Sequence, residues 1–376
     1  MAKTNFAMNP TKIKAIGLGG GGCNAINRMV RANIRGVEFI GMNTDAQALS
    51  LIETSTRVQL GERITRGLGS GGDHLRGQEA AEESRDEIRE LIAGTDMVFI
   101  TAGMGGGTGT GAAPVVAEIA KRSGSLTIAI VTKPFSFEGA HRLQVAEEGI
   151  NNLLKNVDTL IIIPNDRLFD LCDQKTSVDS AFQMADDVLK HGVQAISEVI
   201  TVPGLINLDF ADVRAIMRDA GPAWMSMGKG SGSNRAIDAA KEALSSPLLD
   251  VSVGGAKGVL FNVVGGSSLT LLEVNEAAKV IKQAVDPDAN IIFGVAHDPA
   301  MDKEIRITLI ATGFVSQAGI AGFSQDEKLS NFLTTLKKSG DELDVPSFLR
   351  YPTGRRRLAM TPSTKPDKTA ANTPVN

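Results

Sequence analysis

The chain has 376 residues, 42% of them hydrophobic, which is long and apolar enough for about two domains with real cores. Its formal net charge of −4 and aromatic content of 4% argue against nucleic acid as a partner, because neither a broad positive field nor base-stacking surfaces are expected. Two cysteines fit a reducing cytoplasm, and no segment approaches the ~18 apolar residues of a membrane span, so we expect no direct membrane insertion.

Strand and helix patterns alternate through the first half of the chain. Apolar runs separated by helices predict a parallel sheet that is covered on both faces. One helix follows the first strand, a second spans residues 79–94, and a third begins near Pro114. The predicted strands of this half are Ile13–Leu18, Val37–Asn43, Asp96–Thr101, Leu126–Thr132 and Thr159–Pro164.

A long helix pattern from about Val178 to Ile200 separates the two halves and has the length of a connecting spine. The second half repeats strand and helix patterns more loosely. After Tyr351 the composition is rich in Pro, Thr, Lys and Arg, which is typical of disorder. The predicted strands of the second half are Ala223–Gly228, Gly258–Gly266, Asn290–Asp298 and Glu304–Phe314.

A first glycine-rich segment, GLGGGGCN at Gly17–Asn24, lies at the end of a predicted strand and opens a helix. It satisfies G-x-G-x-x-G through Gly17, Gly19 and Gly22, and Asp45 follows a little over twenty residues later. A dinucleotide site is therefore one hypothesis. The motif alone is weak, because glycine-rich strand-to-helix turns also serve as plain connections.

A second segment, GGGTGTG at Gly105–Gly111, lies at the end of another strand and also opens a helix. Two such loops at one sheet edge can surround a polyphosphate with backbone N–H groups and helix N-termini. Thr108 and Thr110 can donate hydroxyl hydrogen bonds to it. No G-x-x-x-x-G-K-[ST] motif occurs, so we expect such a site to depend on backbone donors and Mg²⁺, with no direct protein ligand to the metal.

Five motifs follow one another along the chain: GLGGGGCNAINRM, MNTDAQAL, AGMGGGTGTGAAPVVA, KPFSFEG and PGLINLDFADV. In these motifs the chain resembles the tubulin/FtsZ family, and the resemblance covers about residues 12–314. The resemblance implies an α/β fold with a Rossmann-like parallel-sheet GTPase domain, a long central helix, a second α/β domain and a disordered C-terminal tail. It divides the chain into a flexible N-terminus (1–11), a GTP-binding domain (12–177), the central helix (178–202), a C-terminal activation domain (203–315) and a linker with tail (316–376).

The same resemblance implies a GTPase that binds GTP or GDP with Mg²⁺ and polymerises head to tail with itself into protofilaments. These would form a cytokinetic ring at midcell in the cytoplasm. The implied catalytic residues, Asp209 and Asp212, would complete the site of the next subunit. The implied GTP-binding residues are Gly20, Gly21, Gly22, Cys23, Asn24, Gly107, Thr108, Gly109, Glu138, Arg142, Asn165, Phe182 and Asp186.

Several of these residues also have plainer interpretations. Asp186 can accept the N1–H and N2–H₂ donors of guanine, and Phe182, one helical turn earlier, can stack on the base. Without the resemblance, a solvated carboxylate and a core aromatic would be favoured. Cys23 is expected to be a small residue that lines the loop, since no base that would activate a nucleophile is evident. Asp209 and Asp212 have the spacing of a helix N-cap and capping box, and this role is compatible with catalysis.

Two features depart from the family pattern. In the loop that resembles the γ-phosphate-sensing segment, Asp73 and His74 replace the more usual Asn-Pro. The segment Asp344–Arg350, DVPSFLR, resembles the tail peptide that docks membrane-tethering division proteins, but further residues follow it here. Among these, Arg355–Arg357 have two interpretations. They either attract anionic lipid or a neighbouring polymer, or they form a solvated basic cluster with no partner.

Three functions are compatible with parts of this pattern. A polymerising GTPase accounts for both glycine segments. An NAD-dependent oxidoreductase accounts for the first segment and Asp45, but it does not need the second. A nucleotide-binding scaffold without turnover would not need Asp209 and Asp212.

Overall fold

A ten-stranded sheet organises the computed structural model, which describes residues 11–171, 176–201, 209–249 and 253–314. Its strands lie in the order β3-β2-β1-β4-β5-β6-β7-β10-β8-β9. The strands are β1 (Ile13–Leu18), β2 (Val37–Asn43), β3 (Thr56–Gln59), β4 (Met97–Gly103), β5 (Leu126–Lys133), β6 (Thr159–Pro164), β7 (Gly221–Ser231), β8 (Gly258–Gly265), β9 (Asn290–His297) and β10 (Glu304–Thr312).

Helices flank this sheet and connect its strands. They are α1 (Gly19–Arg31), α2 (Ala46–Ser50), α3 (Glu62–Thr65), α4 (His74–Glu83), α5 (Arg85–Ile92), α6 (Gly107–Arg122), α7 (Ala140–Leu154), α8 (Val178–Thr201), α9 (Phe210–Met217), α10 (Arg235–Leu244) and α11 (Leu271–Ala284). Short 3-10 turns occupy Ser136–Glu138, Asn165–Leu171, Val253–Gly255 and Pro299–Met301. No helix within the described ranges combines the length and hydropathy that a membrane crossing needs.

The sheet is parallel in its first half and mixed in its second. β1 to β6 pair in parallel, as predicted. β7 continues this sheet through only three parallel residue pairs with β6, from Thr159–Gly221 to Ile161–Ala223. β10 then runs antiparallel to both β7 and β8. After β1 the chain adds β2 and β3 on one side and returns to place β4 on the other, so a crevice forms between the loops that follow β1 and β4.

Apolar side chains cover both faces of the parallel part. On one face α1 and α8 pack against alternate strand residues such as Ala15 and Phe99. On the other face α4, α5 and α6 pack against the intervening residues, such as Ile16 and Ile100. The cluster under α8 also includes Leu260 and Ile310 from the second half. The spine helix therefore shares one core with both halves of the chain.

All of the predicted strands are present, and the α/β fold class is confirmed. The sequence patterns missed β3, α2, α3 and α7. The single helix expected at 79–94 is divided in two at Ser84, which acts as N-cap to α5 and whose hydroxyl accepts a hydrogen bond from the N–H of Gly61 at 3.1 Å. The third helix begins at Gly107, seven residues before Pro114, which consequently lies inside α6.

Candidate functional site

A cavity of about 610 Å³ lies at the carboxyl ends of β1 and β4, in the crevice described above. A concavity of similar size, about 650 Å³, lies along α3 and α4 between Ile64 and Glu83, but neither glycine segment lines it. The residues of the resemblance that line the first cavity are Gly20, Gly21, Asn24, Gly107, Thr108, Gly109, Glu138, Arg142, Asn165, Phe182 and Asp186.

The first glycine segment forms the start of α1, which begins at Gly19 directly after β1. The first N–H groups of a helix have no partner within it, so they can bind an anion in the cavity. Gly22 and Cys23 are not among the lining residues. A Cβ atom at Gly22 would overlap the carbonyl oxygen of Thr101, so this residue lets α1 pack closely on β4.

Cys23 is buried behind the loop, with its thiol directed toward the carbonyl oxygens of Gly17 at 3.5 Å and Met42 at 3.6 Å. The expectation that it lines the loop is therefore not met. Burial raises the pKa of the Cys23 thiol to about 12, although the contact with Met42 acts in the opposite direction. A thiol in this environment stays protonated and is not a nucleophile.

The two threonines of the second segment have different roles. The Thr108 hydroxyl lies in the cavity wall, 2.6 Å from the Thr44 hydroxyl and 3.1 Å from that of Ser70. It thereby links α6 to the loops that follow β2 and α3. The Thr110 hydroxyl accepts a hydrogen bond from the N–H of Gly105 at 2.8 Å and is buried. Thr110 therefore fixes the loop and does not face a ligand, contrary to our expectation.

The glycines of this segment are required partly by packing and not only by a ligand. A Cβ atom at Gly111 would overlap the carbonyl oxygen of His74, and one at Gly77 would overlap that of Gly107. Helices α4 and α6 thus meet backbone to backbone. Gly106 differs, since a Cβ atom there would meet no atom within 4 Å and the residue lines the cavity.

This difference predicts opposite phenotypes for two alanine substitutions. We expect Gly111→Ala to destabilise the fold by about 1–3 kcal/mol or more, because backbone atoms must move apart. Gly106→Ala should keep the parental melting temperature, since its φ of −91° suits alanine, and should weaken binding of an anion in the cavity. Thermal unfolding and nucleotide titration of both variants test this. Normal stability of Gly111→Ala would contradict the packing argument.

The far end of the cavity carries aromatic and polar groups. Arg142 forms an ion pair with Glu138 at 3.0 Å, and Glu138 also accepts a hydrogen bond from the N–H of Phe135 at 2.8 Å. The ring of Phe182 is 40% exposed and packs edge-on against Phe135, with 5.4 Å between centroids. Asn165 is buried at the end of β6, and its side-chain oxygen has no hydrogen-bond partner among the described residues. Such an orphaned acceptor indicates a position prepared for a bound polar group.

Asp186 is largely buried and is paired with Arg28. Its carboxylate accepts a hydrogen bond from Nε of Arg28 at 3.3 Å, and the aspartate side chain is 16% exposed. Burial raises the pKa of Asp186 to about 6, while the charge and hydrogen bond of Arg28 act to lower it. The carboxylate is thus ionised at neutral pH and is poorly hydrated. It is therefore a strong acceptor for donors on a ligand.

Asp209 and Asp212 lie at the start of α9 and are not among the residues that line the cavity. Asp209 is the N-cap, accepting from the N–H of Ala211 at 3.2 Å. Asp212 accepts from the N–H of Asp209 at 3.3 Å, which completes a capping box. The capping role is therefore present. Within one chain these carboxylates do not join the cavity wall, so any role at such a cavity requires a second copy.

The cavity is also lined by residues that the sequence analysis did not identify, Thr44 and Ser70, and by Asp45, which it considered only for a dinucleotide site. Asp45 lines the cavity but also caps α2, since Oδ1 accepts from the N–H groups of Gln47 at 2.9 Å and Ala48 at 3.1 Å. Thr44 follows β2 and Ser70 follows α3, and the position of Thr44 at the end of a predicted strand was the available signal. Asp73 caps α4, and the imidazole of His74 lies 3.7 Å from Glu148.

Two family models match this chain. The family model of the Tubulin/FtsZ family GTPase domain matches residues 12–173, and that of the FtsZ family C-terminal domain matches residues 221–315. An empty FtsZ dimer from M. jannaschii is 44% identical, covering 82% of this chain and 89% of that one, with a TM-score of 0.79. A tryptophan-to-tyrosine mutant of FtsZ from M. jannaschii is also 44% identical, with coverages of 81% and 92% and a TM-score of 0.79.

A more distant structure shares the fold. CetZ2 from Haloferax volcanii, described as a GTPgS-bound protofilament, is 19% identical, with coverages of 87% and 100% and a TM-score of 0.71. The GTPase domain match excludes both the nicotinamide-dependent oxidoreductase and the scaffold without turnover. Membership of this family implies that the chain binds a guanine nucleotide. With a GTPase domain followed by an FtsZ-type C-terminal domain, the chain belongs to the Tubulin/FtsZ family and is a GTPase.

Proposed function

We propose that the protein polymerises head to tail and that each junction completes a GTP hydrolysis site from two subunits. One subunit supplies the cavity, and its neighbour supplies Asp209 and Asp212. The observation that carries the proposal is the position of these two carboxylates, which are on α9 and not in the cavity wall of their own chain. An exposed carboxylate near a γ-phosphate can orient or polarise the attacking water.

Exposed aromatic side chains beside the cavity support a contact between copies. Phe137 is 61% exposed and Phe169 is 47% exposed, and both pack on the buried Phe135, with ring centroids 5.0 and 5.1 Å from it. Phe137 and Phe169 flank the residues that line the cavity. An apolar cluster at the mouth of a polar site is typical of an interface rather than of free surface. A second subunit that covers the cavity would also bury this apolar cluster.

Within the cavity we propose distinct duties for its two ends. The glycine segments, with Gly20, Gly21, Asn24, Gly107, Thr108 and Gly109, would hold the phosphates, and Gly22 would support them from behind. Glu138 and Arg142 would contact the ribose. Asn165, Phe182 and Asp186 would bind the guanine, with Asp186 accepting its N1–H and N2–H₂ donors.

Mg²⁺ fits this cavity through the chemistry of its donors. The hydroxyls of Thr44, Ser70 and Thr108 form a cluster of oxygens in the cavity wall, with that of Thr108 lying 2.6 Å from Thr44 and 3.1 Å from Ser70, and oxygen is the ligand that Mg²⁺ prefers. Phosphate oxygens and water would be the direct ligands of the ion, and the hydroxyls would hold those water molecules by hydrogen bonds. Bound there, the ion would neutralise charge on the phosphates, and the hydroxyl cluster would orient them.

We further propose that the protofilaments form a cytokinetic ring at midcell in the cytoplasm. In this proposal residues 12–177 bind GTP, residues 178–202 form the central helix, and residues 203–315 are the activation domain. The segment Asp344–Arg350 would dock membrane-tethering division proteins. That segment and the basic residues Arg355–Arg357 lie outside the described residues.

Turnover measured against protein concentration tests assembly-coupled hydrolysis. We expect GTP to raise light scattering above a threshold concentration, and we expect phosphate release per subunit to rise at the same threshold. GDP should produce neither signal. If phosphate release per subunit does not depend on protein concentration and light scattering does not rise, hydrolysis at junctions is refuted. The protein would then be a monomeric GTPase.

Truncation after Glu342 separates the tail from the polymer contact. Because the described fold ends well before this residue, the truncated chain should keep GTP turnover near the parental rate. Recruitment to vesicles that carry a membrane-tethered division protein should be lost. A truncated chain that no longer assembles would show that the tail is part of the polymer contact. The matched control replaces only Phe348 and Leu349 by alanine, which removes two apolar anchors and keeps the tail length.

A further inference from the structure

Arg28 connects the two ends of the cavity. It lies on α1, the helix whose first turn lines the phosphate end, and its Nε is 3.3 Å from Oδ2 of Asp186 on α8. Its Nη1 lies 3.6 Å from Oδ1 of Asp187. The arginine side chain is 27% exposed and is not among the residues that line the cavity. It therefore reaches Asp186 from behind.

This geometry leaves the aspartate free to bind a base. An ionised carboxylate has about four acceptor positions on its two oxygens, and Arg28 uses one of them. The remaining positions suffice for two donors on one edge of a base. Without a cation nearby, a carboxylate this poorly hydrated would take up a proton more readily and lose acceptor capacity.

We propose that Arg28 is a positioning residue for base recognition, which orients Asp186 and holds its carboxylate charged for the donors of guanine. The inference rests on the proposed role of Asp186. Arg28 touches neither base nor phosphate in this account and acts only through the carboxylate. Loss of Arg28 should therefore change how binding of a guanine nucleotide depends on pH.

The charges around Asp186 determine the direction of the change. Arg28 opposes the effect of burial on the pKa of Asp186, and the adjacent Asp187 adds to that effect. Asp187 is itself paired with Lys190 at 2.9 Å. Charged groups on the neighbouring 3-10 turn and elsewhere in the cavity wall are Asp166, Arg167, Asp170, Asp45, Glu138 and Arg142. Removing Arg28 deletes the cation in direct contact, so the pKa of Asp186 should rise.

The experiment measures the dissociation constant of GDP for the full chain between about pH 5.5 and 8.5 by titration calorimetry. Parental affinity should fall as pH drops through about 6, because protonated Asp186 loses its acceptor character. For Arg28→Met the fall should begin about one pH unit higher, which makes binding several-fold weaker near neutral pH and close to parental at the alkaline end of the range. Arg28→Lys keeps the charge, so the pH midpoint of its GDP affinity should lie close to the parental one.

Two comparisons separate positioning from a structural role. Arg31→Met removes an arginine from the same helix, one that is paired with Glu53, and should leave the pH profile unchanged. In an Asp186→Asn background, Arg28→Met should have no further effect. Three results would overturn the inference. The pH midpoint of GDP binding could be unshifted in Arg28→Met, the loss of affinity could be equal at every pH, or the effect of Arg28→Met could persist in the Asp186→Asn background. If Asp186→Asn alone leaves GDP affinity unchanged, the proposed role of Asp186 fails instead.

Discussion

Replacing Asp212 by asparagine is expected to lower GTP turnover by about 100-fold or more while leaving GTP affinity unchanged. In the proposed junction the Asp212 carboxylate orients the attacking water, and an amide cannot supply its charge. The glycine segments that would hold the phosphates are on other elements and are not altered. Helix α9 should remain capped, because asparagine also accepts from a backbone N–H, and the loss of stability should be about 1 kcal/mol at most.

Phosphate release, nucleotide titration and light scattering on the same samples measure this outcome. Polymers of Asp212→Asn should form and persist, because GTP at the junction is no longer consumed. If the variant hydrolyses GTP at nearly the parental rate, Asp212 has only the capping role that the hydrogen bond to Asp209 already shows. The neighbouring Asp209→Asn shows whether the second carboxylate matters equally, since it removes a charge but keeps an acceptor toward Ala211.

Mixing two inactive variants tests whether hydrolysis crosses the subunit boundary. Asp212→Asn subunits still present a cavity filled with GTP. The second variant carries a larger side chain at Gly106, selected for a parental melting temperature and loss of GTP binding in titration, and its subunits still present Asp212. Each variant alone should be nearly inactive, and the mixture should recover turnover at mixed junctions if both variants co-assemble. Co-sedimentation of the two variants without recovery would contradict catalysis in trans.

The second large effect concerns the choice of nucleotide. We expect Asp186→Asn to reduce affinity for GTP by about 100-fold, because one of the two acceptor oxygens becomes a donor NH₂ group and the charge is lost. Xanthosine triphosphate, which carries an oxygen where guanine has its amino group, should bind the variant better than the parent. The parental protein should bind ATP and NAD only weakly, because adenine lacks the N1–H and N2–H₂ donors.

Titration calorimetry with GTP, xanthosine triphosphate, ATP and NAD gives the required ratios. Asp179→Asn is the matched control, because Asp179 is an exposed aspartate near the start of the same helix. It should leave all four affinities unchanged. Equal binding of ATP and GTP by the parental protein would exclude Asp186 as the reader of guanine.

The sequence predicted the parallel sheet and the convergence of its loops, because buried strands leave continuous apolar runs and their carboxyl ends share one edge. It missed β3, whose four residues, TRVQ, lie at the sheet edge and carry no apolar run. It placed the start of α6 too late, since five glycines in seven residues suggest a loop. In the fold those glycines lead into and form the first turns of the helix, because the tertiary contact with α4 outweighs their weak helix propensity.

Two other features could not be read from the chain alone. The partner of Asp186 is Arg28, 158 residues away, and such a pair is defined only once α1 and α8 lie side by side. Thr110 looked equivalent to Thr108 in sequence. The two hydroxyls separate because a helix turns about 100° per residue, which directs residues two positions apart to nearly opposite sides. Cys23 was expected to line the glycine loop, but it lies on α1 and its side chain is buried behind that loop.

The contact between α4 and α6 has a mechanical consequence. Side chains between two helices can change rotamer and so absorb a small displacement, whereas two backbones in direct contact have no such freedom. Where Gly77 and Gly111 lie, α4 and the first turns of α6 therefore behave as one stiff joint. The segment 67–73 leads from the cavity into α4 and is attached to that joint at its far end. A displacement of this segment is therefore expected to move the first turn of α6, whose residues Gly107–Gly109 line the cavity.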